Sequence, residues 1–363
     1  MKTKARVIAF YLPQYHPIPE NDVWWGKGFT EWTNVGKAKQ FFKGHYQPRV
    51  PADLGYYDLR VPETRKAQAD MAREYGVEGF CYWHYWFGNG KRLIERPFNE
   101  VLASGEPDFP FCLAWANETW KGFDHGLKNR NTLIDQLYPG VDDYCAHFNA
   151  VLPAFKDKRY ITVDGKPLFM IYKPLADAEV KVFMNTWRKL AKENGLNGIY
   201  FVGHHNDLRN KFVDIAMSGV DAVNTTRLNN YIINHRSFFN KVYTRLSKVF
   251  LGAAAAYAYS YEKMSKYFIV HEEDKQENVF PSIIPGWDHT ARSGKEGLVM
   301  TNSTPVFFEA HVKETINLVQ SKEPEHRIVF IKSWNEWAEG NYMEPDLKWG
   351  KKYLEVLKKQ VFK

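Results

Sequence analysis

Eight short apolar runs of strand length recur along the chain, and segments with helical periodicity fill most of the gaps between them. The runs begin near residues 7, 79, 110, 167, 198, 221, 279 and 327. Regular alternation of strands and helices is typical of parallel strands in βα units. Eight such units predict an α/β fold, the (β/α)8 barrel of the TIM type, with a doubly wound open sheet as the structural alternative.

The predicted helices have the length expected of a layer around such a barrel. They cover residues 62–75, 93–104, 142–156, 179–194, 305–320 and 351–360. The first of them begins at Pro62, a residue that suits the first turn of a helix. If the barrel closes, the first strand, 7–12, pairs with the last strand, 327–333.

We predict a single domain over residues 1–363, because this length suits one large barrel and no convincing linker interrupts the chain. A long first loop, 14–60, follows the first strand and is dense in aromatic residues. A loop of that length in a compact domain is usually functional or disordered, and its aromatic content argues against disorder.

An irregular helical insertion is predicted over residues 227–275. Within it, residues 238–250 place apolar side chains at helical spacing and a basic face opposite them, formed by Lys241, Arg245 and Lys248. This pattern favours a helix packed on the barrel with a solvated outer face. It also allows weak contact with an anionic membrane surface or a lipid-linked glycan.

Composition and charge exclude several classes of protein. Lys and Arg number 49 and Asp and Glu 42, and the excess of 49 − 42 = 7 is too small for a nucleic-acid-binding signature. Three cysteines cannot all pair, so Cys81, Cys112 and Cys145 are expected as reduced thiols. The apolar run from Val7 to Leu12 is too short for a signal peptide, and no run reaches membrane-spanning length. We therefore expect a cytoplasmic protein without nucleic-acid partners.

Two glutamates, Glu336 and Glu339, lie just beyond the last predicted strand, in the segment 330–340 (FIKSWNEWAEG). Side chains three apart on a strand face opposite ways, so at least Glu339 lies on irregular backbone, where both carboxylates can converge. Glycosidic bond cleavage requires paired carboxylates, since one protonates the leaving oxygen and the other acts on the opposite side of the sugar ring. We predict this pair as the catalytic residues. The alternative is a strand end whose acids are merely solvated.

Polar and aromatic clusters follow other strands as well, and a barrel brings the carboxyl ends of all its strands to one face. We expect these clusters to line one cavity with the glutamate pair. Taken alone, His84 would more often be a core histidine, and the Asn117–Glu118 pair a structural hydrogen bond. The predicted substrate-binding residues are Tyr11, Tyr15, His84, Tyr85, Trp115, Asn117, Glu118, His204, Trp287, Asp288, Trp334 and Asn335.

Other chemistries have weaker support. The turn 88–91 (GNGK) lacks the spacing and the Ser or Thr of a phosphate-binding loop, and no G-x-S-x-G elbow occurs. His204, His205 and Asp207 could suggest a metal site. Adjacent histidines at a strand end point apart, however, so we predict that one of them lines the pocket and that no metal is bound.

Six motifs resemble those of the WbsX-type proteins, a family related to glycoside hydrolase family 99. They are AFYLPQYH at 9–16, WGKGFTEW at 25–32, GFCYWHY at 79–85, WANETW at 115–120, PGWD at 285–288 and SWNEWAEG at 333–340. The resemblance covers nearly the whole chain. It implies a (β/α)8 barrel that acts on glycans without a metal or nucleotide cofactor, and several of its members are labelled as glycosyltransferases of polysaccharide gene clusters.

In family 99, a Glu-x-x-Glu pair at this place cleaves α-mannosides with retention. The first Glu deprotonates the 2-hydroxyl of the substrate, which forms a 1,2-anhydro intermediate, and the second acts as general acid and then as base. The resemblance places these roles on Glu336 and Glu339. The family has a His before the second Glu, where this chain has Ala338.

Three functions follow from these observations. A retaining glycoside hydrolase, acting on an oligosaccharide or polysaccharide that could contain mannose, is the first. A glycosyltransferase of O-antigen or capsular polysaccharide assembly is the second, although no D-x-D metal motif or Gly-rich phosphate loop supports it. A non-catalytic glycan-binding barrel is the third. For the hydrolase, we expect a raised pKa at the acid, Glu339, and an ionised Glu336.

Overall fold

The computed structural model describes residues 3–122, 127, 131–206, 211–235 and 257–362. Eight parallel strands close into a barrel: β1 Arg6–Tyr11, β2 Gly79–Trp86, β3 Phe111–Trp115, β4 Lys166–Ile171, β5 Tyr200–Asn206, β6 Ala222–Thr226, β7 Val279–Ile283 and β8 Ile328–Ile331. Strand β1 pairs with β8, with Val7 opposite Val329, and also with β2, with Ile8 opposite Gly79. The predicted barrel and the pairing of its first and last strands are confirmed.

Helices surround the barrel close to the predicted bounds. Those in the described ranges are α1 Pro19–Trp25, α2 Glu31–Lys37, α3 Pro62–Glu74, α4 Arg96–Ser104, α5 Val141–Phe155, α6 Glu179–Glu193, α7 Phe212–Ala216, α8 Asn230–Asn234, α9 Tyr261–Ser265, α10 His271–Asp274, α11 Thr290–Ser293, α12 Pro305–Val319 and α13 Lys352–Val361. Short strands add Arg92–Leu93, Trp120–Lys121, Thr132–Ile134, Thr162–Val163, Ala258–Ser260, Val299–Thr301, Asn335–Glu336 and Asn341–Tyr342, and 3₁₀ turns cover Gly294–Glu296, Pro324–His326 and Trp337–Glu339.

Barrel strands bury both of their faces, one toward the interior and one toward the helices. On β1, the ring of Phe10 stacks on Trp83 and Phe330, with centroids 4.9 and 5.2 Å apart. The next residue, Tyr11, instead donates its hydroxyl to Gln68 of α3 at 2.7 Å. Successive side chains on a strand point to opposite faces. Only alternate residues can therefore reach the mouth of the barrel.

The long first loop, 14–60, contains α1 and α2 and packs against the turn that follows β8. The side chain of Asn335 accepts from the backbone N–H of Leu12 at 2.7 Å and donates to its carbonyl at 3.0 Å. The indole of Trp32 lies 5.6 Å from that of Trp337. These contacts bring the loop to the carboxyl ends of the strands, where it forms part of the mouth.

The insertion predicted over 227–275 is described in part. Its described residues contain α8, α9 and α10, and the strand Ala258–Ser260, which pairs in parallel with Val299–Thr301. The predicted basic helix, 238–250, lies outside the described residues. Within the described ranges, no helix combines the length and the apolar character needed to cross a membrane.

Candidate active site

A cleft of about 270 Å³ opens at the carboxyl ends of the barrel strands. It is lined by residues of strand β2 and of the loops after β1, β3, β4, β7 and β8. These are Leu12, Gln14, Trp83, Tyr85, Ala116, Glu118, Thr119, Trp120, Tyr172, His289, Arg292, Ser293, Lys332, Glu336 and Glu339. The two predicted catalytic glutamates and two predicted substrate-binding residues, Tyr85 and Glu118, thus share one cleft.

The chain beyond β8 explains how both glutamates reach this cleft. Glu336 ends a two-residue strand, Asn335–Glu336, that pairs antiparallel with Asn341–Tyr342. The 3₁₀ turn between them places Glu339 on the same side. Gly340 ends that turn with φ of 58°, and a Cβ there would lie 2.6 Å from the Cβ of Asp288. Only glycine fits so close an approach, which fixes the turn against the loop that follows β7.

Arg292 of α11 joins three carboxylates at the end of the cleft. Its Nη1 lies 2.5 Å from Oε1 of Glu339, and its Nη2 lies 3.4 Å from Oε2 of Glu336. The third carboxylate is that of Glu31, whose Oε2 lies 3.1 Å from Nη2. The side chains of Glu31, Glu336 and Arg292 are less than a tenth exposed. One guanidinium therefore faces three acids in a site with little water to screen them.

This arrangement changes the acidity of two of the carboxyl groups. Burial, followed by the negative charge of Glu339, raises the pKa of Glu336 to about 7, although Arg292 and Lys332 act to lower it. Burial also raises the pKa of Glu31 against the opposing effect of Arg292. Glu336 was expected to stay ionised, whereas burial of its carboxyl raises its pKa. Glu339 makes the shortest contact with Arg292 among the three acids.

Asp288 fixes the position of Arg292 and of the turn that contains Glu339. Its carboxylate is fully buried, and it accepts hydrogen bonds from His45 and Gln47 at 2.8 Å each. Its other oxygen accepts from the backbone and hydroxyl of Thr290, the first residue of α11, and its backbone N–H donates to the carbonyl of Glu339 at 2.6 Å. Burial acts to raise the pKa of Asp288, but the bond from His45 and the charge of Arg49 outweigh it and lower the pKa.

Aromatic side chains form the walls of the cleft. The indole N–H of Trp83 donates to Oε1 of Glu336 at 3.2 Å. The ammonium group of Lys332 lies over the rings of Phe10, Trp83 and Trp287, at 5.6, 5.5 and 5.9 Å from their centroids. The ring of Tyr172 is a further part of the wall. Flat apolar faces beside hydrogen-bonding acids are a combination suited to the two sides of a sugar ring.

Three residues predicted to bind substrate face the helices instead of the cleft. Tyr11 bonds to Gln68, as described above. His84 has its Nε2 2.7 Å from Nε2 of His147 on α5, and Trp115 packs on Phe183 of α6 with centroids 4.6 Å apart. Burial lowers the pKa of His84 well below its usual value. Each lies next to a residue that does face inward. The strand ends were therefore predicted correctly, but these three side chains lie on the helix-facing side of their strands and not on the side that faces the cleft.

Four further predicted residues position the mouth of the barrel without lining the cleft. Asn117 bonds to both backbone groups of Lys173, Trp334 packs on Phe80, and Asn335 holds Leu12. Tyr15 donates its hydroxyl to the carbonyl of Asn335. These side chains are buried behind the cleft, so we assign them to its support.

The remaining predicted residues lie beside the cleft. His204 is buried beneath Tyr172, with ring centroids 5.2 Å apart, and its Nδ1 donates to Oδ1 of Asn224 at 2.7 Å. Burial, followed by the charge of Lys332, lowers the pKa of His204 to about 3. Trp287 contacts the cleft through Lys332, whereas Asp288 lies behind α11. Glu118 lines the cleft itself and pairs with Lys173 at 2.5 Å.

Most cleft residues are absent from the predicted set, among them Trp83, Trp120, Tyr172, His289, Arg292 and Lys332. Trp83 and Trp120 lie inside motifs that were recognised, and Lys332 directly follows β8. Arg292 gave no signal of its own, because a single arginine four residues beyond Asp288 resembles any surface cation.

Solved structures with the same fold include carbohydrate-processing barrels. One described as a "Glycoside hydrolase-like protein" has a TM-score of 0.61 and 16% identity, and the match covers 100% of this chain and 95% of that one. The GH99 endo-alpha-mannosidase from Bacteroides thetaiotaomicron has a TM-score of 0.56 and 17% identity, covering 99% and 97%. At such identities the likeness establishes the fold.

Sequence relatives occur in two strains of Xanthomonas campestris pv. campestris, B100 and ATCC 33913. Each is named "Uncharacterized protein WxcX" and is 36% identical over 359 residues, or 97% of this chain. The match covers 49% of the relative in both cases. This chain therefore spans about half the length of the curated relatives it matches.

The family model described as "Glycosyltransferase WbsX" matches residues 7–357. This match includes all eight barrel strands except the first residue of β1, and all the residues that line the cleft. The family description names a glycosyltransferase, and the solved structures of the same fold include glycoside hydrolases. The chain belongs to the WbsX family.

Proposed function

We propose that this protein is a retaining glycoside hydrolase whose catalytic residues are Glu336 and Glu339. The observation that carries the proposal is the sharing of one guanidinium, Arg292, by two cleft carboxylates. Contact with a single side chain keeps the two carboxyl groups close enough to act on one sugar unit, and retention is what the family resemblance implies. Aromatic walls and polar groups around the pair suit an oligosaccharide or polysaccharide substrate.

The charge balance of the cleft supplies the proton that an acid catalyst needs. Glu31, Glu336 and Glu339 would carry three negative charges if all were ionised, and the two cations that act on them, Arg292 and Lys332, offset two of these charges. Like charges in a buried site raise the pKa of the carboxyl groups, so the cluster keeps a proton at neutral pH. That proton is shared among the three acids and is not assigned to one of them. Arg292 also contacts Glu31. When Glu339 is protonated, the carboxylate of Glu31 therefore remains as an ionised partner for the guanidinium.

The first step follows the roles that the family resemblance implies. Glu336 removes the proton of the sugar 2-hydroxyl, and that oxygen forms a bond to C1 as the glycosidic bond breaks. Glu339 gives its proton to the departing oxygen, so the step yields a 1,2-anhydro sugar, a protonated Glu336 and an ionised Glu339. A pKa near 7 suits Glu336 as a base at neutral pH.

The second step reverses both proton transfers. Glu339 removes a proton from water as the water oxygen bonds to C1 and the bond from C1 to the 2-oxygen breaks. Glu336 returns its proton to that oxygen, which restores the 2-hydroxyl and both starting carboxyl states. Two displacements at C1 leave its configuration unchanged, which is retention.

Glutamine variants test the pair and separate its roles. Glu336→Gln and Glu339→Gln keep the shape of each side chain, and each should lower kcat by at least about 10²-fold, since general acid–base catalysis contributes on the order of 10²–10⁴-fold. An aryl glycoside with a good leaving group needs little protonation. It should partly rescue Glu339→Gln but not Glu336→Gln. If the aryl glycoside rescues only Glu336→Gln, then Glu336 is the general acid and Glu339 the base. If both variants keep near-normal rates, neither glutamate is catalytic and the proposal fails.

A glycosyltransferase of polysaccharide assembly is the second candidate, and the description of the family favours it. The same carboxylate pair could pass a glycosyl unit to a hydroxyl acceptor instead of water. Incubation with a panel of nucleotide sugars and glycan acceptors separates the two. Product that depends on a nucleotide sugar supports transfer, and release of reducing sugar without one supports hydrolysis. Binding without either reaction would leave a non-catalytic glycan-binding barrel.

A further inference from the structure

Lys332 directly follows β8 and places a cation in the wall of the cleft. Its backbone N–H donates to the carbonyl of Ile283 on β7 at 2.9 Å, which extends the barrel pairing by one residue. The residue is 8% exposed, and its side chain borders the cleft. The barrel therefore fixes a nearly buried ammonium group at the candidate active site.

The ammonium group of Lys332 has unused hydrogen-bond donors. Across the part of the chain that the structure describes, it makes no hydrogen bond and no ion pair with a carboxylate. The three aromatic rings beside it attract its charge but accept none of its N–H groups in an ordinary hydrogen bond. Its nitrogen is not sealed in the protein interior, because it is accessible from the cleft. A ligand in the cleft can therefore reach these donors.

Lys332 lies on the same wall of the cleft as the proposed base, Glu336. Trp83 contacts both residues, since its ring lies 5.5 Å from the ammonium group and its indole N–H donates to Oε1 of Glu336 at 3.2 Å. The charge of Lys332 also acts to lower the pKa of Glu336. The two groups are thus neighbours that do not form an ion pair, and an oxygen atom of a ligand can contact both of them.

We infer that Lys332 is a catalytic residue that donates a hydrogen bond to the sugar 2-oxygen, the atom from which Glu336 removes the proton. This inference rests on the proposed function. Negative charge develops on the 2-oxygen as its proton passes to Glu336, and a fixed cation beside it stabilises that charge. Lys332 keeps its own protons, so the balance of the two steps is unchanged. The inferred substrate class is a glycan whose reacting sugar has a free 2-hydroxyl.

Binding of simple sugars to the full chain tests the contact without any turnover. Calorimetric titration compares mannose and glucose with 2-deoxyglucose, which is the 2-deoxy analogue of both, and galactose with 2-deoxygalactose. We expect at least one 2-hydroxyl sugar to bind at least about tenfold more tightly than its 2-deoxy analogue, since a hydrogen bond from a charged donor contributes that much. If none of the three shows this preference, the inference is overturned.

Lys332→Met removes the donor and the charge but keeps a long apolar side chain that suits the three rings. It should weaken binding of the preferred 2-hydroxyl sugar by about tenfold and change binding of the 2-deoxy analogue by less than twofold. Lys121→Met, which removes an exposed charge next to Trp120, should change neither affinity. Equal weakening of both sugars by Lys332→Met would contradict a contact with the 2-oxygen. Circular dichroism checks the folding of each variant.

Kinetics of the same variant test the catalytic role. On a glycoside that the wild type cleaves, Lys332→Met should lower kcat by at least about tenfold with a smaller change in KM, because the charge on the 2-oxygen is greatest in the transition state. An unchanged kcat would contradict this role. If the wild type binds the 2-hydroxyl sugar through Lys332 but cleaves no glycoside, the contact stands and the proposed hydrolase fails.

Discussion

Arg292 contacts Glu339 through Nη1 at 2.5 Å, and its remaining nitrogens reach a residue 261 positions earlier in the chain, Glu31. The barrel makes this meeting possible, because the first loop, the segment after β7 and the turn after β8 all end at one mouth. The buried cation holds the two ends of the site together. Its charge also lowers the pKa of Glu336 and of Glu31 against the larger effect of burial.

The pH dependence of catalysis should reveal this control. Burial gives Glu336 a pKa of about 7, so kcat/KM should rise with pH through that value as the base ionises. Removal of a positive charge destabilises a nearby carboxylate. Arg292→Gln should therefore raise the pKa of Glu336, move the rising limb to higher pH and lower kcat/KM at pH 7 by at least about tenfold.

Two further variants serve as controls for that profile. Arg292→Lys keeps the charge without the guanidinium fork, so it should move the limb less than Arg292→Gln. Arg188→Gln removes a comparable charge from an ion pair with Asp221 on the outside of the barrel and should leave the profile in place. An Arg292→Gln enzyme with the wild-type profile would show that Arg292 does not set the acidity of the cleft.

Removal of Asp288 should damage both stability and activity. Asp288→Ala leaves the buried donors of His45 and Thr290 without an acceptor and Arg49 without its anion, a loss of about 3–5 kcal/mol in the free energy of unfolding. Because Thr290 begins the helix that contains Arg292, kcat should fall as well. Urea denaturation measures the first effect and steady-state kinetics the second.

Asp53 offers a matched control for that experiment. Its pair with Lys351 is partly exposed, so Asp53→Ala should change stability by less than about 1 kcal/mol. If Asp288→Ala were equally mild, the carboxylate would not be the anchor that its contacts indicate.

His84 should matter for stability and not for catalysis. His84→Phe fills most of the same space but leaves Nε2 of His147 without its partner, a cost of about 1–3 kcal/mol. Burial lowers the pKa of His84, so folding favours its neutral form, and stability should decline as pH falls below about 6.5. The variant should decline less, because one buried imidazole of the His84–His147 pair is gone. If His84→Phe lowered kcat/KM by more than tenfold at unchanged stability, His84 would have a role in catalysis.

The sequence was sufficient to predict the barrel and the residues at which its strands end. It could not determine which side chains face inward. Strands of a parallel barrel are buried on both faces, so β2 reads as one apolar run in which Trp83, His84 and Tyr85 are equally plausible cleft residues. The structure selects Trp83 and Tyr85 by alternation and turns His84 toward α5.

Arg292 was beyond prediction for a different reason. Its role depends on three carboxylates that come from separate parts of the chain, and only the closed barrel brings them together. The PGWD motif at 285–288 indicated that this segment is functional. The position of Arg292 follows from Asp288 only in the structure, where Asp288 binds Thr290 and α11 begins at that residue.

The anomeric configuration of the first product distinguishes a retaining hydrolase from an inverting one and from a transferase. Defined oligosaccharides and activated aryl glycosides are incubated with the wild-type chain, with no nucleotide sugar present, and NMR follows the anomeric proton from the first minutes. We expect reducing sugar to appear first with the anomeric configuration of the substrate, and Glu336→Gln to produce none. Initial release of the opposite anomer, or equal release by Glu336→Gln, would contradict a retaining hydrolase that uses this carboxylate pair.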